Sequence, residues 1–591
     1  MPSLHWIGKE AVVNHHHAVP FHLLRDVPEL SVGEPGAGNL IVQGDNLVAL
    51  KALLPYYAGQ VKCIYIDPPY NTGNEGWIYN DNVNSPDIRR WLGQIVGKED
   101  ETLDRHDRWL CMMYPRLALL RQFLREDGAI FVSIDDNEVQ ALRYVMDEIF
   151  GAANFITTVL WQKVFAPKNT ARHFSEDHDY VVVYARNANA WRPNLVPRSD
   201  EAKGRYKNPD KDPRGPWTSG DLQARNYYSA GTYPITCPSG RVISGPGSGM
   251  YWRVAKEKFL ELDKESRIYW GAKGNNMPRL KRFIADVKDG VTPQTLWFHR
   301  EVGHTQEAKQ DLLAVVEFQT SAEVFITPKP IRLIERVLQI ATNPGDLVLD
   351  SFGGSGTTGH AVMKTNHAFP DQPPRHFIVV EIEQKIAREV TAERVKRVSE
   401  GYTNAKGEKV EGLGGSFRFC ELGEPLFDET GKIRESVRFA DLARHVYFTE
   451  TGEPLPERVA AGIMPAVEPG FQPGGKSVAS TKRLENPKSI ASSSVSPGGK
   501  MPPSTAGRMP AATSPLLGVT ANGLGVYLLY NGILKDKSVD GGNVLTSATL
   551  AHLPPHAGVK VIYAAGCRFS PARLKRENIV FKQTPYAIRL Q

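Results

Sequence analysis

The sequence is poor in cysteine and has no long apolar run, and each absence excludes a class of protein. The five cysteines among 591 residues show no CxxC spacing, so neither a disulfide framework nor a zinc site is indicated. No stretch approaches the roughly 18 apolar residues of a membrane-spanning helix, and the N-terminus lacks a signal-peptide pattern. We therefore expect a cytoplasmic protein without membrane contact and without a bound metal.

The net charge of +6 is concentrated in one segment of the chain. Residues 156–318 hold 25 Lys and Arg against 18 Asp and Glu, and also six of the ten tryptophans. Cationic side chains can neutralise phosphates and aromatic rings can stack on bases, so this mixture suits a nucleic-acid surface. On composition alone, a solvated face over an ordinary core fits equally well. The side chains that carry this interpretation include Trp161, Trp217, Trp252, Trp270, Arg205, Lys207, Arg253, Lys281 and Arg282.

Strands and helices alternate on both sides of that segment. Strands are predicted at "LIVQGDN", "VKCIYI" and "GAIFVSIDD" before it, and at "DLVLD" and "HFIVVEI" after it. We expect Pro55 to stop the helix "LVALKALLPYY" and Pro115 to kink the following helix or break its first turn. The pattern indicates an α/β fold that is interrupted by an insertion and then resumes.

A glycine-rich turn follows the predicted strand that ends at Asp350, in "DLVLDSFGGSGTTG". Glycines let the backbone approach a ligand closely, and open α/β sheets bind nucleotides at the carboxyl ends of their strands. The next strand ends on Glu381, where a carboxylate could accept hydrogen bonds from ribose hydroxyls. An adenosine-containing cofactor is implied, although this loop alone is also compatible with a dinucleotide enzyme or a plain tight turn.

The stretch "CIYIDPPYNTG" places an acid, two prolines and a tyrosine directly after a buried strand. The Asp67 carboxylate and the Pro68 carbonyl form a cluster of hydrogen-bond acceptors, and Tyr70 offers a face for a base. Two acceptors fit an exocyclic amino group, which has two hydrogens to donate. This arrangement suits attack by an amine on a methyl sulfonium. The motif by itself is equally compatible with a rigid corner between a strand and a loop.

These motifs together resemble those of amino-group DNA methyltransferases that use S-adenosylmethionine, in the order with the catalytic motif before the cofactor motif. The resemblance is strongest to the modification subunit of type III restriction systems, also in "GPWTSGDLQARN" and "GNNMPRLKRF". It implies a Rossmann-like, mostly parallel, seven-stranded methyltransferase sheet built from two chain halves. An inserted target-recognition domain and a small C-terminal module complete the expected α/β architecture.

The domain boundaries follow from the resemblance and from composition. We expect an N-terminal extension (1–39), a catalytic half (40–155), a target-recognition insert (156–318), a cofactor-binding half (319–425), a connecting region (426–464), a flexible linker rich in Gly, Ser and Pro (465–515) and a C-terminal module (516–591).

The resemblance also implies roles for individual residues. The catalytic residues are Asp67, Pro68, Pro69 and Tyr70. The cofactor-binding residues are Asp45, Thr327, Lys329, Asp350, Phe352, Gly353, Gly354, Ser355, Gly356 and Glu381. Whether Glu381 or Glu383 meets the ribose stays open, since both lie on one side of the strand; the residue nearest the strand end is preferred.

The acid in Asp-Pro-Pro-Tyr implies adenine N6 as the methyl acceptor within this family. Cytosine N4 methylation and a catalytically decayed DNA-recognition subunit remain as alternatives. The expected partners are double-stranded DNA, a second copy of the chain in a homodimer, and a restriction subunit with helicase and nuclease activity.

Overall fold

The computed structural model describes residues 4–33, 38–72, 102–167, 169–226, 228–288, 290–318, 327–404, 407–456, 515–530 and 542–584. Its main element is a sheet whose ten strands we number in chain order. They are β1 (His22–Asp26), β2 (Leu40–Gln43), β3 (Val61–Ile66), β4 (Leu124–Ile134), β5 (Phe155–Gln162), β6 (His178–Ala185), β7 (Leu296–Trp297), β8 (Leu347–Asp350), β9 (His376–Glu381) and β10 (Arg418–Pro425).

The two halves of the chain interleave in this sheet. The spatial order is β1-β10-β2-β9-β8-β3-β4-β6-β5-β7, so that β8 and β9 from the second half lie between β2 and β3 from the first. The pairs from β10 through β4 are all parallel, whereas β6 runs antiparallel to both β4 and β5. The predicted mostly parallel sheet assembled from two halves is therefore confirmed.

The sheet is wider than the seven strands that were predicted. Seven consecutive strands, from β2 to β5 in the spatial order, lie at its centre, and β1, β10 and β7 extend the two edges. Two of the extra strands could not be recognised by periodicity: β7 has two residues, and β1 is only partly buried.

Eleven helices of the described chain accompany the sheet and its flanks. They are α1 (Lys9–Val12), α2 (His15–Ala18), α3 (Asn46–Tyr57), α4 (Thr102–Phe123), α5 (Val139–Met146), α6 (His299–Val302), α7 (Thr305–Val315), α8 (Ile331–Ala341), α9 (Thr357–Ala368), α10 (Glu393–Glu400) and α11 (Phe439–Thr451). Within the described ranges, no helix has the length and apolar character that crossing a bilayer requires.

Pro55 does not stop its helix, and Pro115 does not break a first turn. Helix α3 continues past Pro55 to Tyr57, and α4 contains Pro115 far beyond its first turn. A proline removes one backbone hydrogen bond from a helix. Most of the side chains of α3 and of the second half of α4 are buried in the core, and this burial offsets the missing bond.

Residues 193–293 form a separate compact unit. Its strands are Trp217–Asp221, Gln223–Arg225, Ile235–Thr236, Val242–Ile243, Met250–Trp252, Ile268–Tyr269 and Arg279–Phe283, and its α-helices are Asp200–Gly204 and Lys256–Lys264. The sequence had placed the start of the insert at residue 156, but β5 and β6 belong to the main sheet. Strand β6 pairs with β4, as in Val182 opposite Val132, and β5 pairs with β6.

The tryptophans expected on a nucleic-acid surface lie in the core instead. Trp217, Trp252 and Trp270 are buried in the 193–293 unit, and Trp161 is buried in the main unit. Their indole N–H groups donate to internal acceptors, for example from Trp252 to the Tyr233 carbonyl at 2.9 Å. Lys281 is also buried and forms ion pairs with Asp210 and Asp212. The prediction that these tryptophans lie on a nucleic-acid surface is therefore wrong. Burying an indole removes a large apolar area from water, and its N–H finds an internal acceptor.

The exposed Lys and Arg side chains of the 193–293 unit are still available to a polyanion. This unit contains 18 Lys and Arg against 11 Asp and Glu, so the positive balance predicted for the longer insert is present here in full. Lys207, Arg225, Lys273 and Arg282 are exposed.

The C-terminal module is a small four-stranded sheet. Its spatial order is Leu516–Val519, Gly525–Leu528, Lys560–Ala564 and Ile579–Gln583, with one antiparallel and two parallel pairs. Helix α11 packs against it through Leu442, Val446 and Tyr447. The predicted linker and the tail beyond residue 584 lie outside the described residues.

Candidate active site

The carboxyl ends of four neighbouring parallel strands bring the predicted site residues to one edge of the sheet. The register pairs Gln43 of β2 with Glu381 of β9, and Leu349 of β8 with Ile64 of β3. Since these strands all run in the same direction, the acids that end or follow them lie along this edge in the order Asp45, Glu381, Asp350, Asp67. Both the DPPY turn and the glycine-rich loop are on this edge, which is where open α/β sheets bind ligands.

The two oxygens of the Asp67 carboxylate have different surroundings. Oδ2 accepts a hydrogen bond from the Lys329 ammonium, while Oδ1 is buried and has no hydrogen-bond partner in the described part of the chain. The Lys329 Nζ also lies over the Tyr70 ring, 5.0 Å from its centroid. The Tyr70 hydroxyl is buried close to the Asp67 carboxylate, and burial, together with that carboxylate, raises its pKa well above the ordinary value. The turn thus holds a buried carboxylate oxygen and a phenol hydroxyl beside one aromatic ring.

The backbone of the DPPY turn is anchored by residues that the sequence did not single out. Trp109 Nε1 donates to the Pro69 carbonyl at 2.7 Å, which leaves the Pro68 carbonyl as the acceptor that no described residue occupies. Asn71 has a left-handed backbone (φ 58°), and its side-chain amide donates to the buried carboxylate of Glu138. Asn tolerates this conformation better than most residues.

The glycine-rich loop is packed too closely to carry side chains. A Cβ on Gly353 would lie 2.4 Å from Val379 Cγ1, and Gly356 has φ 74° with the Thr391 carbonyl 3.0 Å from its would-be Cβ. The Gly353 N–H donates to the Val380 carbonyl at 2.8 Å, which holds the loop against β9. The backbone can therefore approach a ligand directly, as the glycines predicted.

Asp350 is buried at the end of β8, where it organises the loop that follows. Its carboxylate accepts hydrogen bonds from the Phe352 N–H at 3.0 Å and from the Thr358 hydroxyl at 2.5 Å. Burial raises the pKa of Asp350 to about 7, and the nearby Asp67 and Glu381 carboxylates add to the rise. A buried carboxylate of this kind favours a cationic ligand group, since a positive charge offsets the desolvation of the ionised form.

Glu381 is the acid nearest the end of β9. Its carboxylate accepts the N–H groups of Gly354 at 2.7 Å and Glu383 at 2.9 Å, and burial raises its pKa to about 7. Glu383 lies two residues beyond the strand and is only half-buried. The geometry favours Glu381 as the acid at the nucleoside position, and its ribose contact stays a prediction.

Three other predicted cofactor residues have structural tasks as well. Asp45 caps α3 by accepting from the Leu47 N–H at 2.9 Å and pairs with Arg116 at 2.9 Å. Phe352 is buried in the main core, and Ser355 receives a hydrogen bond from buried Arg394. Thr327 is exposed at the start of a described segment. The positions of these residues agree with the predicted site, and their ligand contacts stay predictions.

A further ion pair that the sequence analysis missed adjoins the turn. Lys163 Nζ contacts the buried Asp179 at 2.6 Å, and the charges of Asp67 and Lys329 both act on Asp179. These two residues, like Trp109 and Glu138, are distant in sequence from the DPPY motif. The position of Lys163 and Asp179 near the turn depends on the pairing of β6 with β4, which the sequence did not indicate.

An interleaved α/β sheet with a glycine loop after β8 and an acid-Pro-Pro-Tyr turn after its neighbour β3 defines a Rossmann-like methyltransferase. The family model for N6/N4 DNA methylases matches residues 61–393. The chain belongs to this DNA methylase family, and the resemblance inferred from the sequence is confirmed.

The chain is also similar to individual proteins and to a solved structure. The chain is 35% identical to the Mod subunit of the type III restriction-modification enzyme StyLTI of Salmonella typhimurium (strain LT2), over 60% of this chain and 54% of that subunit. It is 54% identical to the type II methyltransferase M1.MboII of Moraxella bovis, over 52% of this chain and 82% of that enzyme. The structure of the PvuII cytosine-N4-specific DNA methyltransferase covers 62% of this chain and 89% of its own, at 12% identity and a TM-score of 0.30. The chain spans about half the length of the StyLTI subunit.

Proposed function

We propose that the protein transfers a methyl group from S-adenosylmethionine to the N6 amino group of adenine in duplex DNA. The observation that carries this proposal is the Asp67 carboxylate, whose Oδ1 is a buried acceptor without a described partner beside the Tyr70 ring. Membership of the DNA methylase family supports the reaction class. The acid at the first position of the DPPY turn supports adenine over cytosine.

The residues around the glycine loop fit the proposed cofactor. Gly353 and Gly356 allow close backbone approach, while Asp350 provides a buried carboxylate for a cationic group and Glu381 provides one for hydroxyl donors. Thr327 and the loop residues Phe352, Gly354 and Ser355 complete the proposed contacts, with Asp45 toward the adenine. The bound cofactor supplies a methyl group that its positive sulfur makes electrophilic.

The DPPY turn would hold the amino group of a base that has left the DNA stack. Flipping costs a few kcal/mol, which contacts in the pocket must offset. The two amino hydrogens would be donated to Asp67 Oδ1 and the Pro68 carbonyl, and the base would stack on Tyr70. Holding both hydrogens directs the nitrogen lone pair away from the turn. Orientation and fixed dipoles supply most of the rate in such a site, and the extra proton leaves once methylation has made the amine acidic.

The exposed Lys and Arg side chains of the 193–293 unit make it the proposed DNA-recognition domain. Its 18 basic and 11 acidic residues give this unit the same net positive charge as the whole predicted insert. Phosphate contacts of this kind position the duplex, whereas sequence is read at base edges.

The relatives also suggest an assembly. We propose that the chain is the modification subunit of a restriction-modification system, acts as a homodimer and pairs with a restriction subunit. Sedimentation of the protein on duplex DNA tests the dimer, and a monomer at all concentrations would refute it.

The activity is tested by incubating the protein with duplex DNA and S-adenosylmethionine labelled in the methyl group. Digestion to nucleosides followed by mass spectrometry identifies the product. N6-methyladenine supports the proposal, N4-methylcytosine would assign the alternative acceptor, and no labelled nucleoside on any duplex that the protein binds would indicate a decayed recognition subunit. Binding of NAD in place of S-adenosylmethionine would overturn the cofactor assignment.

A further inference from the structure

Lys329 is held rigidly beside the DPPY turn although it comes from the other half of the chain. It lies between the buried Pro328 and Pro330, directly before α8, and its carbonyl accepts the Thr357 hydroxyl at 3.3 Å. Two flanking prolines fix the backbone dihedrals on both sides of the lysine. The direction of this side chain is therefore set by the fold.

The Lys329 ammonium is directed at the predicted catalytic residues. Its side chain is 8% exposed, and in the described part of the chain the carboxylate within ion-pair distance is that of Asp67. The same ammonium lies over the Tyr70 ring. A buried cation requires a compensating partner, so Lys329 and Asp67 depend on each other.

This contact determines which Asp67 oxygen is free. Because the ammonium occupies Oδ2, the carboxylate cannot rotate without losing a charge-assisted hydrogen bond. Oδ1 is then kept as the acceptor for the substrate. The attraction between the cation and the ring restrains Tyr70 at the same time.

We propose that Lys329 is a positioning residue for Asp67 and Tyr70, and that it does not serve as a cofactor ligand. This inference rests on the proposed methyltransferase function and changes the role that the family resemblance implied for Lys329. It predicts that loss of the ammonium lowers the rate of methyl transfer and leaves cofactor affinity nearly unchanged.

The test compares Lys329→Met with Lys329→Arg and with a matched control, Lys62→Met. Lys62 is equally buried, with 8% of its side chain exposed, and pairs with Asp127 at 2.8 Å near the opposite end of β3. For Lys329→Met we expect kcat to fall at least about tenfold, with the dissociation constant of S-adenosylmethionine changed by less than about threefold. Lys329→Arg should restore part of kcat, and Lys62→Met should keep kcat near the wild-type value.

A second readout does not depend on activity. Thermal unfolding of Lys329→Met, Asp67→Asn and the double variant forms a double-mutant cycle. We expect the two substitutions to be non-additive, since each removes one member of the same buried pair. Additive effects would overturn the inference even if the wild-type enzyme transferred no methyl group.

The kinetic outcomes separate this inference from the proposed function. A wild-type protein without N6-methyladenine product contradicts the proposed function, whereas the unfolding cycle still tests the pair. An active wild type with a Lys329→Met variant that saturates at full kcat but binds the cofactor more weakly contradicts the positioning role. That result would return Lys329 to the cofactor site.

Discussion

At the residue scale, the site depends on single polar atoms that lack partners. Asp67 Oδ1, the Tyr70 hydroxyl and the Asn71 carbonyl oxygen are all buried without hydrogen bonds to the described chain. Leaving a buried polar group unpaired costs about 1–3 kcal/mol. Three such atoms within five consecutive residues indicate a surface that can receive the polar groups of a ligand.

Replacing Asp67 by Ala should abolish most of the methyl transfer. The substitution removes a charge-assisted acceptor at the reacting nitrogen, so we expect kcat to fall at least about a hundredfold, which corresponds to about 3 kcal/mol. Cofactor and DNA affinity should stay close to wild type, as measured by calorimetry and by titration of labelled duplex.

The matched control for this variant is Asp127→Ala, which removes the partner of the remote Lys62. It should keep wild-type kcat. An Asp67→Ala enzyme that methylates at the wild-type rate, or that loses cofactor binding as badly as an Asp350 variant, would contradict the proposed role of Asp67.

Replacing Asp350 by Asn should change the pH dependence of the cofactor-free protein. The pKa of Asp350 is about 7 in the folded protein against 3.8 in a model peptide, so the folded state binds more protons between these values. Its stabilisation is present below about pH 4 and is lost as pH rises through about 7. Asparagine does not ionise: its Oδ1 can accept the Phe352 N–H, and its amide N–H can donate to the Thr358 Oγ1 in place of the bond that Asp350 accepts. We expect the variant to be more stable than wild type at pH 8, by at most about 4 kcal/mol, and this advantage to shrink to less than half at pH 5.

Thermal unfolding from pH 5 to 8 measures this difference, and an equal shift at all pH values would speak against a titrating Asp350. The same variant should bind S-adenosylmethionine more weakly, because it lacks the carboxylate for the cationic group. For the wild type, affinity should fall as pH falls from 8 to 6, with proton release on binding, since Asp350 must ionise to receive the cation.

At the scale of elements, the glycine loop between β8 and α9 is fixed by its contact with β9. Gly353→Ala places a Cβ 2.4 Å from Val379 Cγ1 and 3.1 Å from the Val380 carbonyl, so the loop must lift away from the sheet. We expect cofactor affinity to fall by at least about tenfold and stability to drop by about 1–3 kcal/mol. Calorimetry and thermal unfolding measure the two effects.

Gly204→Ala is the control for that substitution, because a Cβ there meets nothing within 4 Å. It should leave cofactor binding unchanged. If Gly353→Ala binds the cofactor as tightly as the control does, the loop does not form the cofactor site.

Local sequence patterns predicted the elements of the fold better than their arrangement. The strands β2, β3, β8 and β9 and their following loops could be predicted because apolar runs end at Gly, Pro or acidic residues. The positions of β5 and β6 could not, since the pairing of β6 with β4 and of β5 with β6 depends on tertiary contacts. The buried Trp217 and Trp252 show the same limit, because composition does not reveal which face of a strand is covered.

For the candidate site as well, local motifs could be predicted and tertiary contacts could not. Asp67 and Asp350 lie in contiguous motifs, so the sequence identified them. Trp109 and Glu138 support the DPPY turn from distant parts of the chain, and Asp179 acts on it electrostatically; no local pattern connects them with it. Lys329 was identified as a site residue, but its contact with Asp67 depends on β8 lying beside β3.

At the scale of the whole molecule, most of the basic 193–293 unit can be deleted between two residues whose backbones pair. Val196 and Val291 pair through two backbone hydrogen bonds of 2.9 and 2.8 Å, so a short Asn-Gly turn can replace residues 197–290. We expect this variant to lose DNA binding while cofactor binding persists, because the glycine loop and Glu381 lie outside the unit. Fluorescence titration with duplex DNA and calorimetry with S-adenosylmethionine measure the two affinities.

For the intact protein, the logarithm of DNA affinity should fall linearly with the logarithm of salt concentration, by about 0.9 for each phosphate neutralised. A flat salt response, or site-specific methylation by the excised variant, would contradict the assignment of this unit as the DNA-recognition domain.

The interleaving of the sheet sets an order of events during synthesis. Strand β3 is buried along its whole length, and one of its two neighbours, β8, belongs to the later half of the chain. A nascent chain that ends before residue 347 therefore exposes an apolar strand edge. Limited proteolysis of chains truncated after residue 318 and after residue 456 should find the first readily cleaved within β3 and the second protected. Equal protection would show that the first half folds alone.

The ribosome thus makes Asp67, the acid proposed to hold the methyl acceptor, long before it makes the strands that complete the candidate site. Until Lys329 and the glycine loop have left the exit tunnel, the DPPY turn has neither of them beside it. On the proposed function, a nascent chain therefore carries the DPPY motif before it can bind the cofactor, and we expect competence for methyl transfer only after β9 has emerged.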